Sequence, residues 1–408
     1  MYNTAFYIII AILVLSYIFE QYLDSLNSKY RNKDVPKELE GIFDDEKYKK
    51  SQEYGKANSK FSLISSTFTI VLTLAMFFFF GFNYINDIAI SFSENIIIQA
   101  LIFFGILMFA SDIIGTPFSV YSTFVIEEKF GFNKTTVKTF ILDKIKDWLL
   151  GAILGGGIMA LIIWLYSLNE EMFWIWAWLA ISGFSIFMTM FYSSIIVPLF
   201  NKQTSLEEGE LRTAIENFSK KAGFKLDNIF VIDGSKRSTK ANAYFSGLGP
   251  KKRIVLYDTL IKDLSINEIV SVLAHEVGHY KHKHTISNIL FSIIQSGVML
   301  YIFSIFVNNI ELSKAMGSQV MSFQLGLIAF GILYSPISTI LGLFVNTVSR
   351  KHEYQADKFA KDYGQADGLI SGLKKLTEKN LSNLTPHPYY VYFHYSHPTL
   401  YQRIKAIK

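Results

Sequence analysis

The sequence predicts an all-α membrane protein, seven transmembrane helices carrying one small α+β segment. Three observations predict it. Of 408 residues, 50% are hydrophobic and only 18% charged, with a mean hydropathy of +0.28. A soluble domain of this length carries more charge and less apolar surface. The apolar residues gather into seven runs, each long enough or nearly so to cross a bilayer, which takes about 20 residues. One polar stretch, between the fifth and sixth runs, mixes helical and strand periodicity.

The first run spans about Thr4 to Phe19. No Lys or Arg precedes it and no small-residue cleavage site follows, so it reads as an anchor and not a removable signal. Asp24 to Lys60 is polar and basic. The second run covers roughly Phe61 to Phe82, the third Asn95 to Val120, the fourth Trp148 to Leu168 and the fifth Met172 to Val197. The sixth covers roughly Ile286 to Val307 and the seventh Met321 to Val345. This divides the chain into spans one to five (1–200), a segment at 201–285, spans six and seven (286–349) and a tail at 350–408.

Loop charges alternate. Tyr84 to Glu94 and Ser167 to Glu171 hold no Lys or Arg, whereas Tyr121 to Asp147 holds Lys129, Lys134, Lys138, Lys144 and Lys146. By the positive-inside rule the N-terminus lies outside and the polar segment and C-terminus are cytoplasmic. The net charge of +5 belongs to these loops, beside apolar spans. The expected surroundings are therefore a lipid bilayer and no nucleic acid. There are no cysteines, which excludes disulfides, a thiol nucleophile and a thiolate metal site.

Within 201–285, Glu210 to Ala222 patterns as an amphipathic helix ending at Gly223. Asn228 to Asp233, Asn242 to Ser246 and Arg253 to Tyr257 read as short strands, the last two separated by a turn at Gly247 to Pro250. Ser265-Ile-Asn-Glu268 is a capping box, and the apolar spacing after it continues a helix through Val272-Leu-Ala-His275-Glu276-Val-Gly-His279.

That helix carries H-E-x-x-H. Two histidines four apart share one helix face, so both imidazoles reach one cation, and Glu276 can face a water there as general base. A catalytic zinc needs a third protein ligand. Spans six and seven form an antiparallel hairpin, so residues after Arg350 return to the level of His275 and His279. Glu353 lies there and is the expected third ligand, with Asp357 or His352 as alternatives. Asp357, four residues on, can accept the second N–H of a ligand histidine. The expected cofactor is one Zn²⁺ per chain.

Other residues stay more open. Gly278 costs helix stability, which reads as close approach of the metal or of a facing helix. His282 and His284 read as a solvated basic helix end before they read as ligands. His387 and His394 read as surface residues, while His397-Pro398 stands apart because Arg403 follows it. Asp112 is an acid inside an apolar span, which by default signals function.

The chain resembles the type I CAAX prenyl protease family of integral-membrane zinc metallopeptidases over nearly its whole length. The motifs that carry the resemblance are His275-Glu-Val-Gly-His279, Tyr121 to Asn133, Pro198-Leu-Phe-Asn-Lys202, Asp233-Gly-Ser-Lys-Arg-Ser, Asn242-Ala-Tyr-Phe, Glu353-Tyr-Gln-Ala-Asp357 and Phe393-His-Tyr-Ser-His397-Pro398 with Arg403. The resemblance implies a zincin-like catalytic segment and seven transmembrane helices enclosing a chamber. It implies metal ligands His275, His279 and Glu353 and catalytic base Glu276. It implies that the strand at Asn242 and Ala243 binds substrate backbone, that His397 stabilises the oxyanion, and that Arg403 supports Glu353 or Asp357. The expected substrate is a peptide or protein, prenylated or not, cut near its C-terminus. Thr239-Lys240-Ala241 stands where eukaryotic members show a Ser/His version, Thr399 stands where a second proline is usual, and Lys405 to Lys408 lacks a dilysine pattern. These departures point to a bacterial cytoplasmic membrane over the endoplasmic reticulum. Two rival readings are a general membrane quality-control metalloprotease, which would have fewer spans, and a transporter, which would show paired half-repeats.

Overall fold

The structure is a computed structural model and describes residues 2–31, 34–224, 229–248 and 253–408. Seven helices are long and apolar enough to cross a membrane: Thr4–Tyr30, Asp45–Phe78, Ile96–Glu127, Val137–Leu168, Phe173–Phe200, His284–Phe306 and Phe323–Asp362. Each expected run falls on one of them to within a residue or two, except the second, which was expected to reach Phe82 but ends at Phe78, before a left-handed Phe80 (φ +56°) and a new helix at Gly81. Several helices outrun their apolar stretch, because hydropathy marks only the part in lipid. The second starts at Asp45, where the Asp44 side chain accepts a hydrogen bond from the Lys47 amide at 2.7 Å. The seventh has 40 residues, about 60 Å of helix against a hydrocarbon core of about 30 Å. It passes through Arg350 without a break and carries Glu353 and Asp357 out of the bilayer on a rigid rod. The stretch expected as a loop at Tyr84 to Glu94 is mostly a helix, Gly81–Phe92.

Each span touches its sequence neighbours, and the seventh returns to touch the first. The ring is packed shut at one end. Phe6, Phe77, Phe103, Phe173, Phe303 and Phe330 come from six spans and form one buried cluster there. Only 6–17% of the residues in each span's apolar stretch are buried by protein, which leaves most of that surface to lipid. The spans close into a ring, and the 201–285 segment and the tail form a separate core.

That segment is built on a four-stranded sheet in the order β1-β2-β4-β3: β1 is Gln203–Ser205, β2 Ile229–Ile232, β3 Ala243–Ser246 and β4 Arg253–Tyr257. β1 and β3 run antiparallel to their partners, and β2 runs parallel to β4. β1 was not expected, since Gln-Thr-Ser has no apolar signal. Asn228 and the Gly249-Pro250 part of the expected turn lie outside the described residues. β3 is an edge strand among the described residues and lies beside the motif helix, Ile266–Lys281. The capping box starts that helix as expected, with Ser265 and Glu268 bonded reciprocally. Helix Glu210–Lys221 ends before Gly223, whose φ of +58° reverses the chain. Ile254, Leu256, Leu260, Leu273 and Val277 form the core between sheet and motif helix. The tail is largely helical, with helices at Ala366–Lys379, Pro388–His394 and Leu400–Ile407. Pro388 opens a helix to His394, because proline's missing N–H costs nothing in a first helical turn.

Candidate active site

The motif helix is laid against the seventh helix with almost no gap. A Cβ on Gly278 would lie 2.9 Å from the Cα of Ala356 and 3.0 Å from the Cβ of Phe359. Of the two readings of Gly278, the facing helix is the one the packing supports. Close approach brings Glu353 to the histidines. The Nε2 atoms of His275 and His279 are 3.1 Å apart. His275 Nε2 is 3.4 Å from Glu353 Oε2, and His279 Nε2 is 3.2 Å from Glu353 Oε1.

These separations suit a metal. Ligands at 2.0–2.1 Å around a tetrahedral ion stand about 3.3–3.4 Å from one another. Glu353 is buried, and its Oε2 has no hydrogen-bond partner among the described residues. A buried carboxylate oxygen left bare is costly unless a cation takes it. The donor set of two imidazoles and one carboxylate fits zinc. Among the alternatives, His352 instead stacks on His284 at 3.9 Å, and Asp357 faces the other nitrogen of His275.

Asp357 Oδ1 is 2.9 Å from His275 Nδ1, and Arg403 donates to both Asp357 oxygens at 2.5 and 2.9 Å. Arg403 also lies 3.5 Å from Glu353 Oε2. Burial works against the charge on Arg403, but the hydrogen bond to Asp357 and the attraction of Asp357, Glu353 and Glu276 together outweigh it and hold its pKa up. On His275, burial and Arg403 act against a charge. The carboxylates of Asp357 and Glu353 beside it, through their contacts and charge taken together, act for it more strongly and push the pKa up to about 9. A cation bound at Nε2 therefore displaces a proton, which couples metal binding to pH.

Glu276, His397, Asn242 and Ala243 line the same cavity of about 460 Å³ as the three convergent groups. His397 Nε2 is 3.3 Å from Glu353 Oε1. Arg350 delivers it by donating to the Tyr395 carbonyl at 2.7 Å, and Asn346 donates to Phe393 O at 3.0 Å. The other tail histidines lie elsewhere: His394 pairs with Glu20 at 3.3 Å, and His387 caps its own helix. Asp112 pairs with Lys144 at 2.5 Å and accepts from Trp148 at 3.0 Å, so it ties the third span to the fourth.

Sequence reasoning missed a clamp. The third span ends in a π-helical turn, Ser122–Glu127, which aims Glu127 at Lys240 (2.8 Å) and at the Tyr54 hydroxyl (2.5 Å). Lys240 also sits 4.5 Å over the Phe132 ring. The backbones of Phe132 and Thr239, and of Lys134 and Arg237, are hydrogen-bonded. The 121–133 signature thus grips the chain two residues before Asn242. A π-bulge is invisible in a hydropathy profile, and only the paired charges at 127 and 240 hinted at the contact.

The comparisons match this arrangement end to end. Residues 25–202 match the family model described as CAAX prenyl protease N-terminal, five membrane helices, and residues 205–408 match Peptidase family M48. The chain belongs to the CAAX prenyl protease family. It is 38% identical to CAAX prenyl protease 1 homolog of Oryza sativa over 98% of this chain and 96% of that one. It is 36% identical to CAAX prenyl protease 1 of Saccharomyces cerevisiae, over 97% and 93%. The crystal structure of S. mikatae Ste24p superposes with a TM-score of 0.95 at 35% identity, covering 100% of both chains. This CAAX-family chain is a multi-pass membrane metalloprotease. These relatives are eukaryotic, so the expectation of a bacterial membrane draws no support from them. The departures at Lys240 and Thr399 leave the family's fold intact.

Proposed function

We propose that this metalloprotease is a zinc endopeptidase that cuts near the C-terminus of peptides, prenylated ones included. The observation that carries the reading is one cavity holding His275, His279, Glu353 and Glu276 beside β3, an edge strand among the described residues. His275, His279 and Glu353 hold the zinc, which supplies Lewis-acid chemistry when bound. Asp357 and Arg403 orient His275 and neutralise the site. The peptide backbone adds to the sheet along Asn242 and Ala243, where main-chain hydrogen bonds set its register. Glu276 takes a proton from the attacking water and returns it to the leaving amine. His397 donates to the carbonyl oxygen as that oxygen gains negative charge. The chamber wall offers apolar surface to a lipid chain. By loop charge, the cavity opens on the cytoplasmic side and the N-terminus lies outside.

The test is cleavage of a farnesylated C-terminal peptide beside its unprenylated twin by purified protein. Wild type should cut, should contain zinc, and should stop on chelation. Glu276→Ala should keep zinc and lose turnover, while His279→Ala should lose both. Zinc-free protein with full activity, or near-normal kcat in Glu276→Ala, would sink the assignment. Equal rates on both peptides would remove prenylation from the reading and leave the protease.

A further inference from the structure

His284 has no part in the chemistry above, and its sequence position suggested a solvated helix end. It is instead buried, 3% exposed, as the first residue of the sixth span. Its Nδ1 lies 2.9 Å from Nδ1 of His279. Its Nε2 lies 2.9 Å from Oε1 of Gln355, two residues past Glu353 on the seventh helix. The ring is held flat against His352, with centroids 3.9 Å apart and planes 11° apart.

The backbone is bent to achieve this. Lys283, between the motif helix and the sixth span, has φ of +59°. A non-glycine residue there costs about 1–2 kcal/mol. The bend folds His284 back over a side chain five positions earlier, which a continuous helix would carry away around its axis.

With a cation taking the lone pair of His279 Nε2, hydrogen-bond logic sets the remaining protons. A neutral imidazole has one N–H and one lone pair. Facing the Gln355 oxygen, His284 Nε2 must donate, so its Nδ1 accepts. The partner at Nδ1 is His279, whose Nδ1–H therefore donates. His279 Nε2 is left with its lone pair, and that is the nitrogen 3.1 to 3.2 Å from His275 and Glu353. The geometry points to His284 and Gln355 as positioning residues, a neutral relay that selects the metal-binding tautomer of His279 and locks its ring. The relay rests on the zinc reading above. It differs in kind from the support of His275, which faces the Asp357 carboxylate. A neutral partner polarises its ligand less than an anion does, so the two histidines are unequal donors.

Zinc affinity tests this without any substrate. Full-length protein in detergent is stripped and titrated with zinc against a chromogenic chelator. His284→Phe keeps the stacked ring and removes the acceptor. Its zinc Kd should rise about 10–100-fold, the usual cost of losing such a partner. Gln355→Leu should weaken zinc in the same direction by less. Gln355→Glu should bind at least as tightly as wild type, because a carboxylate accepts the same Nε2–H. His282→Phe, exposed and touching His284 only by stacking at 5.5 Å, should leave Kd unchanged. An unchanged Kd in both His284→Phe and Gln355→Leu overturns the relay, and so does Gln355→Glu as weak as Gln355→Leu. Should His284→Phe fail to fold, the two Gln355 variants decide the matter. Wild type that binds no zinc would overturn the functional reading itself.

Discussion

Replacing Gly278 by alanine tests the packing on which the site depends. The added methyl would sit 2.9 Å from Ala356 Cα, 3.0 Å from Phe359 Cβ and 3.1 Å from the Ala356 carbonyl oxygen. Carbon atoms are comfortable at about 3.5–4.0 Å, so the two helices must part by roughly 0.5–1 Å. Two of the three obstacles are backbone, which cannot swing aside. Overpacking of this kind costs about 1–3 kcal/mol, against about 1 kcal/mol regained in helix propensity. Net destabilisation is therefore modest, up to about 2 kcal/mol. The site suffers more. Glu353 lies one turn before Ala356 on the displaced helix, and its oxygens now stand 3.2 and 3.4 Å from the histidine nitrogens. Such constellations tolerate about 0.5 Å. Zinc affinity should fall about 10–100-fold, read by chelator competition, with only a small drop in Tm. If Gly278 were an incidental helix glycine, alanine would raise the stability by about 1 kcal/mol and leave zinc untouched. That result would refute the backbone-to-backbone contact as the thing that sets Glu353.

The remaining predictions concern other parts of the site. His397→Ala should keep zinc and lose about 10²–10³ in kcat, while His387→Ala, which loses a helix cap and ring contacts with Tyr30 and Tyr389 away from the cavity, should keep kcat; equal small effects would remove His397 from the mechanism. Glu268 would have its pKa raised by burial, but Lys375, Ser371 and Ser265 pull it down to about 2 from 4.5. Its carboxylate thus adds roughly 3 kcal/mol above pH 4.5, lost as pH falls from there towards 2. The Tm gap between wild type and Glu268→Gln should close across that window, and a gap independent of pH would count against it. Lys240→Met should raise KM with zinc content unchanged, and exchanging the charges at Glu127 and Lys240 should restore part of the loss; a fall in kcat with KM unaffected would contradict the clamp. A reporter fused after Lys408 should be cytoplasmic and one near Asn86 external, the reverse being fatal to the orientation.

Much of the site was legible in the chain because its parts are local. His275, Glu276 and His279 lie on one helix turn, and helical periodicity needs no tertiary information to place them on one face. Glu353 and Asp357 were reachable because two membrane spans joined by a short loop have to be antiparallel. His284 was misjudged for the opposite reason. Its environment depends on the bend at Lys283 and on a ring and an amide some seventy residues away, none of which leaves a trace in local pattern.

By itself, then, the sequence determined the medium, the number of spans and the metalloprotease class, because hydropathy runs and an i, i+4 histidine pair are properties of short segments. Tertiary structure alone decided that the seventh span returns to touch the first, and that a π-turn at Glu127 reaches the strand through Lys240. The sequence had set His397 apart from the other tail histidines, and the structure adds how it is delivered, with Arg350 and Asn346 holding the tail against the seventh helix. Contacts between residues far apart in the chain depend on how whole helices pack, and packing is set by the shapes of all the partners at once.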